Sequence, residues 1–185
     1  MQRTIPMKKL FPLLTICCLM TLSAQENKIC LTFNTNRKFV LPLENDDYNR
    51  FSHSSSKYIP HSGAYIQEWT ADPNEIITVI HEKKKGIKSC QLEVKMKEIA
   101  RNLYAGSDYS LRIVQKSKGD IILISEAPQG HKDIPPFTVV MRHVSTPNAD
   151  QYIVYEKRNG TLSQSEKEEW IDKLKQAYVT NSLEN

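Results

Sequence analysis

Histidines and acidic residues are the first candidates for chemistry in this chain. His81 is followed by Glu82, but lysines come next, so the second histidine of a zinc-binding HExxH helix is missing. The chain also lacks the GxSxG, GxxxxGK[ST] and GxGxxG motifs of serine hydrolases, P-loop enzymes and dinucleotide-binding folds. An enzyme, most simply a secreted hydrolase, would need a site assembled from scattered residues. The candidates for its acid and base are His53, His61, His131 and Asp133.

One polar segment, residues 44–63, has the composition of a recognition surface. It contains a cluster of four serines between positions 52 and 56, together with aromatic residues and histidines. Aromatic anchors beside short polar groups are typical of binding loops, and disorder explains the same composition equally well. The possible binding residues are Tyr48, Phe51, His53, Tyr58 and His61. Zinc binding by the two histidines would need ligands that the sequence does not identify, so we expect no cofactor.

The N-terminus has the order of a secretory signal. Two lysines precede an apolar stretch over residues 10–22, and small residues then lead into a polar segment. The stretch is too short to cross a hydrocarbon core of about 30 Å as a helix. We therefore expect residues 1–24 to be a signal peptide, cleaved between Ala24 and Gln25, with no stable membrane insertion afterwards. The predicted location is periplasmic or secreted.

Two alternatives concern this segment. Translation can start at Met1 or at Met7, which stands directly before the two lysines. Cys17 and Cys18 lie within the apolar stretch and raise the alternative of a lipid anchor. Their bulky neighbours fit a lipidation signal poorly, which favours a soluble exported protein.

Charge and length limit the possible partners. The 185-residue chain has a net charge of +4, which falls to +1 without residues 1–24 because they hold three basic residues and no acidic one. A nearly neutral chain lacks the positive potential that drives phosphate binding, so nucleic acid is not an expected partner. With 39% hydrophobic residues, the sequence predicts one domain over residues 25–180 and a frayed tail over residues 181–185.

After signal cleavage two cysteines remain, Cys30 and Cys90. An even pair in an exported chain predicts a disulfide. Closing a loop of about 60 residues stabilises a fold by roughly 4 kcal/mol in the chain-entropy model. A catalytic cysteine is the alternative, but neither residue belongs to a CxxC motif.

Alternating apolar residues predict four strand pairs along the chain. Their ranges are 29–33 with 38–43, 64–70 with 76–81, 109–115 with 120–126, and 137–144 with 151–156. Helical spacing of apolar residues predicts one helix over residues 89–105 and another over residues 164–179. Ser163 and Glu166 have the spacing of a capping box at the start of the second helix.

This order predicts an α+β fold, an antiparallel sheet covered by two main helices. The segments 65–69 and 76–79, the strand pairs within residues 109–156, and the closing segment 162–174 together resemble the Mog1/PsbP-like fold, and more narrowly small exported bacterial proteins of uncharacterised function. The resemblance covers about residues 29–179 and implies a binding or assembly accessory rather than an enzyme. The predicted disulfide is not part of that pattern.

The function expected from these features is non-catalytic binding in the periplasm or outside the cell. The expected partner is a protein or a cell-envelope component. The secreted hydrolase described above is the alternative.

Overall fold

The fold is described from a computed structural model, which covers residues 28–32, 37–83, 94, 109–128 and 135–181. Strands make up most of these residues. The ten strands are β1 (Lys28–Thr32), β2 (Arg37–Pro42), β3 (Ser52–Ile59), β4 (Ala64–Asp72), β5 (Glu75–Lys83), β6 (Ser110–Ser117), β7 (Asp120–Ala127), β8 (Phe137–Ser145), β9 (Ala149–Arg158) and β10 (Tyr178–Asn181). Two helices are described over their length, α1 (Asn45–Arg50) and α2 (Gln164–Gln176).

Seven strands form one antiparallel sheet in the order β3-β4-β5-β9-β8-β7-β6. The remaining three form a small antiparallel sheet in the order β1-β2-β10. Short turns join β3 to β4, β4 to β5, β6 to β7 and β8 to β9, as expected for hairpins. Gly119, in the turn between β6 and β7, has a φ of +80°, and a Cβ there would lie 3.2 Å from the carbonyl oxygen of Ser145. Glycine is therefore required at this turn.

The main core lies on one face of the large sheet, which we call the helix-covered face. Its central side chains come from alternate positions of β5, β9, β8 and β7, as the two-residue repeat of a strand requires. Helix α2 packs Trp170, Ile171 and Leu174 against them, and β2 adds Phe39 and Leu41 from the small sheet. The aromatic rings of Trp170 and Tyr155 stack with centroids 3.6 Å apart.

The opposite face of the large sheet is also apolar. Buried side chains from β7, β8 and β9 form a second cluster there, against which partly buried residues of β5 and β6 pack. The buried members are Ile121, Leu123, Ala127, Phe137, Val139, Met141 and Tyr152. Apolar residues on both faces explain why β7, β8 and the first half of β9 are buried almost continuously.

Helix α2 begins with the predicted capping box, which is confirmed. The backbone nitrogen of Glu166 donates to Ser163 Oγ, and the backbone nitrogen of Ser163 donates to Glu166 Oε2 at 2.7 Å. The helix ends at Gln176 rather than at residue 179, because residues 178–181 form β10 and pair with β2. No helix in the described part of the chain is long and apolar enough to span a membrane.

The expected α+β class is wrong. The structure is mostly β, with a seven-stranded sheet, a small second sheet and, among the described residues, one long helix; it is not a sheet covered by two main helices. Two strands account for much of the difference. β3 has no apolar alternation for a sequence pattern to detect, and the first two residues of β10 fall within the range of the predicted last helix. All eight predicted strands are present.

Several predictions lie outside the described residues. They are the signal segment with its cleavage site between Ala24 and Gln25, the helix over residues 89–105 except for the helical residue 94, and tail residues 182–185. Cys90 lies outside them as well, whereas Cys30 is in β1 opposite Val40. The disulfide therefore stays a prediction.

Candidate functional site

The segment over residues 44–63 is not a loop. Helix α1 and strand β3 occupy most of it, and β3 is an edge strand of the large sheet. Seven of the eight residues of β3 are exposed, because polar side chains occur at both its odd and its even positions. A strand with this pattern gains its order from its ladder with β4 rather than from a buried face.

The predicted binding residues do not form one site. Phe51 is buried, and its ring meets the ring of Trp170 edge to face at 6.2 Å, so it belongs to the core. Tyr48 is exposed on α1, and His61 is exposed in the turn after β3. Only His53 and Tyr58 lie on the same strand and point to the same side of the sheet.

That side of the hairpin carries three cross-strand pairs of aromatic and polar residues. We call their six residues the β3–β4 face: His53 with Trp69, Ser56 with Gln67, and Tyr58 with Tyr65. A bulge between His53 and Ser55 changes the alternation, so residues 53 and 56 point to the same side. Trp69 also contacts the main core, which places the β3–β4 face on the helix-covered side.

Direct contacts hold these six side chains in place. The rings of Tyr58 and Tyr65 lie 4.5 Å apart, and those of His53 and Trp69 lie 5.5 Å apart. Between the two ring pairs, Ser56 Oγ lies 2.9 Å from His53 Nε2 and accepts a hydrogen bond of 3.2 Å from Gln67 Nε2. The surface therefore has the order aromatic, polar, aromatic along the strand direction.

Two amide oxygens close to this surface lack a hydrogen bond. Gln67 Oε1 is shielded from water without a partner, and so is Oε1 of the fully buried Gln151 on β9. Both side chains lie on the same side of the sheet, because Gln151 lies opposite His81, which lies opposite Tyr65, two residues before Gln67 on β4. Burial lowers the pKa of His81 below its ordinary value of 6.5. The two glutamine oxygens are therefore unsatisfied acceptors on the helix-covered side of the sheet.

The contact between His53 and Ser56 has the atom types of a base and a nucleophile. Such a pair needs a third group that orients the imidazole, commonly a carboxylate. Among the described residues, the nearest acidic side chain in the hairpin ladder, Glu68, accepts a hydrogen bond from Ser55, on the opposite side of the strand. His131 and Asp133 of the predicted hydrolase site lie outside the described residues. Among the described residues, the pair thus shows a contact between His53 and Ser56 with no carboxylate bound to the imidazole.

A second histidine contact lies on the opposite face of the large sheet. His143 Nε2 is 3.1 Å from Asp150 Oδ1, and both residues are buried. Burial, followed by the charge of Asp150, raises the pKa of Tyr152, whose ring lies 4.7 Å from the imidazole. This pair has no access to a substrate and joins β8 to β9. Within the described ranges, no three His, Cys, Asp or Glu side chains form a metal-binding group.

Sequence reasoning missed three members of the β3–β4 face, Tyr65, Gln67 and Trp69. The available signal was their spacing of two residues within a strand, which places all three on one side. Comparison with known proteins adds no member, because no family profile and no characterised protein matches the chain. The resemblance to the Mog1/PsbP-like fold thus stays a prediction.

Proposed function

We propose that this protein is a non-catalytic binding module that acts outside the cytoplasm, in the periplasm or beyond the cell, and that it contacts a cell-envelope component through the β3–β4 face. The order of charged, apolar and small residues at the N-terminus supports export. The β3–β4 face carries the proposal of binding. It is a preorganised set of aromatic and polar side chains on an edge hairpin that α2 and the small sheet leave accessible.

Preorganisation is what separates this surface from an ordinary exposed strand. Each aromatic ring has a ring partner, and the serine between the pairs has contacts from both sides. Side chains already fixed in this way lose less conformational entropy when a ligand binds. Aromatic residues also supply large contact areas with few rotatable bonds.

Site-specific photocrosslinking in the cells that produce the protein tests this proposal. A benzoylphenylalanine replaces Tyr58 on β3 or, as the matched control, the exposed Gln115 on β6 at the other edge of the same sheet. We expect an adduct from position 58 and not from position 115, and we expect a second substitution, Tyr65→Ala, to abolish it. Adducts of equal yield at the two positions, or adducts at neither, would refute the binding surface.

A further inference from the structure

The chemical composition of the β3–β4 face restricts what it can bind. None of its six residues is Asp, Glu, Lys or Arg. The nearest charges along the two strands, Lys57 and Glu68, point to the other side of the hairpin, and Glu68 already accepts a hydrogen bond from Ser55. Anionic ligands are recognised by Arg and Lys, and cationic ligands by carboxylates or by aromatic rings that enclose them. Because the two ring pairs of this face stand apart, with a hydroxyl and an amide between them, the face is suited to an uncharged ligand.

Its geometry requires that ligand to be both apolar and polar. Trp69 and Tyr65 are four residues apart on β4, which separates the two ring pairs by roughly 13 Å at about 3.3 Å per residue. The hydroxyl of Ser56 and the amide of Gln67 fill the interval. An apolar peptide side chain would cover these polar groups and leave Gln67 Oε1 without a partner, at a cost in affinity. A sugar ring offers C–H groups that pack on an aromatic ring and hydroxyls that form hydrogen bonds at its edge.

The amide of Gln67 strengthens this match. Its Oε1 accepts no hydrogen bond, and the terminal torsion of a glutamine side chain is soft. Rotation of the amide would exchange the hydrogen bond from Nε2 to Ser56 for one from a ligand hydroxyl to Oε1, so that the shielded acceptor gains a partner.

We propose that the β3–β4 face binds an uncharged oligosaccharide, with one sugar ring on Tyr58 and Tyr65, another on His53 and Trp69, and hydroxyl groups on Ser56 and Gln67. This inference rests on the proposed binding function and names its ligand class. The open, flat surface predicts modest affinity and contact with several consecutive sugar rings.

The two tryptophans of the chain provide an internal control for the test. Trp69 belongs to the face, whereas Trp170 is buried in the main core. Titration with cellohexaose, maltohexaose, mannohexaose and chitohexaose, followed by the indole N–H signals in NMR spectra, reports both sites at once. We expect at least one of these neutral sugars to shift the Trp69 signal and leave the Trp170 signal in place. Hexagalacturonate, an anionic sugar of equal length, is expected to shift neither signal.

Single substitutions test whether the shift of the Trp69 signal arises from binding at the β3–β4 face. Tyr58→Ala removes a half-exposed ring and is expected to weaken binding about tenfold, as the loss of one stacking contact does. Trp69→Ala is expected to abolish binding, measured by titration calorimetry because this variant lacks the Trp69 signal, and its unchanged Trp170 signal reports whether it folds. Tyr178→Ala removes a comparably exposed tyrosine from β10 and is expected to leave affinity unchanged.

Three results would overturn the inference: no neutral sugar shifts the Trp69 signal at millimolar concentration, hexagalacturonate binds more tightly than all of them, or Tyr58→Ala and Tyr178→Ala have the same effect. Failure here is distinguishable from failure of the binding function. A protein adduct at position 58 in the crosslinking experiment, with no sugar response, would support the β3–β4 face as a binding surface and indicate a protein ligand in place of a sugar.

Discussion

Arg142 joins the end of α2 to the large sheet. It projects from β8 on the helix-covered face, where its Nε and Nη2 donate to the two carboxylate oxygens of Asp120 at 3.0 and 2.8 Å. Its Nη1 lies within 2.9 Å of the carbonyl oxygens of Leu174, Lys175 and Ala177. These carbonyls come at the C-terminus of the helix, where carbonyl oxygens attract positive charge; that of Leu174 also accepts the C-cap hydrogen bond from the backbone nitrogen of Ala177 at 3.2 Å.

Removing this guanidinium is expected to destabilise the protein more than any single surface change. Arg142→Met keeps the packing of the side-chain stem but leaves Asp120 and three helix-end carbonyls without their donor. We expect a loss of about 3 kcal/mol in the free energy of unfolding, measured with urea at pH 7. Arg112→Met on the exposed edge strand β6 is the matched control and is expected to cost less than about 0.5 kcal/mol.

The double variant Arg142→Met, Asp120→Asn measures the interaction energy between Arg142 and Asp120. We expect its destabilisation to be smaller than the sum of the two single losses, since Asp120 is no longer left as an unpaired charge. Strict additivity, or equal effects of Arg142→Met and Arg112→Met, would contradict this account of the contact.

Single residues differ in how well the sequence alone reveals their roles. The pair Ser163 and Glu166 follows a local rule about four consecutive residues, so its capping box is predictable and is confirmed. The contacts of Arg142 join residues 22 and 35 positions away, and no local pattern contains them. The placement of Phe51 in the core, instead of on a binding surface, depends equally on a distant partner, Trp170.

Among the elements, α2 is the one whose start is best defined. Hydrogen bonds from the side chain and from the backbone of Ser163, in that order, lower the pKa of Glu166 below its ordinary value of 4.5. A carboxylate whose pKa is lowered on folding stabilises the fold above its unfolded pKa, and this contribution is lost as the pH falls through the folded pKa. The cap thus contributes fully at neutral pH and least in acid.

Ser163→Ala is expected to lower the free energy of unfolding by about 1 kcal/mol at pH 7. The loss should shrink as the pH falls from 4.5 through the lowered pKa of Glu166, because a protonated Glu166 gains less from its hydrogen bonds with Ser163. Urea unfolding at pH 7 and at pH 3.5 measures both values. Ser163→Thr keeps a capping hydroxyl and should retain most of the stability at pH 7. A loss of stability from Ser163→Ala that grows in acid would contradict the pH dependence derived from the lowered pKa of Glu166.

Strand β3 shows why one element escaped prediction. Strand patterns in sequence come from burial of every second side chain, and β3 buries neither set. Its order depends on β4, with which it pairs from Ser52 to Ile59. An edge strand of serines also resists pairing with other chains, and the bulge after His53 adds to that protection.

For the whole molecule, the strand pairs were predictable and the fold class was not. Hairpins are local, so turn residues and alternation locate them along the chain. The order of seven strands in one sheet depends on the pairing of β5 with β9, which are separated in the chain by residues 84–148. The apolar stripe of α2 predicts helix as far as residue 179, because Val179 fits a helical stripe as well as a strand. Residues 178–181 instead form β10, which adds to the strand content of the fold.

The proposed export of the whole chain makes a prediction about its cysteines. In an oxidising compartment, Cys30 and Cys90 should be joined, since they are the two cysteines that remain after residues 1–24 are removed. A crosslink over about 60 residues restricts the unfolded chain and stabilises the fold by roughly 4 kcal/mol. The paired variant Cys30→Ser, Cys90→Ser should lower the free energy of unfolding by about that amount, and dithiothreitol should have the same effect on the natural protein.

Alkylation with iodoacetamide under denaturing, non-reducing conditions tests export and crosslinking together. We expect the protein recovered from its own cells to begin at Gln25 and to take up no alkyl group, because its two remaining thiols are joined. Alkylation of Cys30 and Cys90 in a chain that begins at Gln25 would reject the disulfide and leave export standing. A chain that still carries Cys17 and Cys18 in alkylated form would reject signal cleavage, since both residues precede the proposed cleavage site. The number and position of the alkyl groups therefore test signal cleavage and disulfide formation separately.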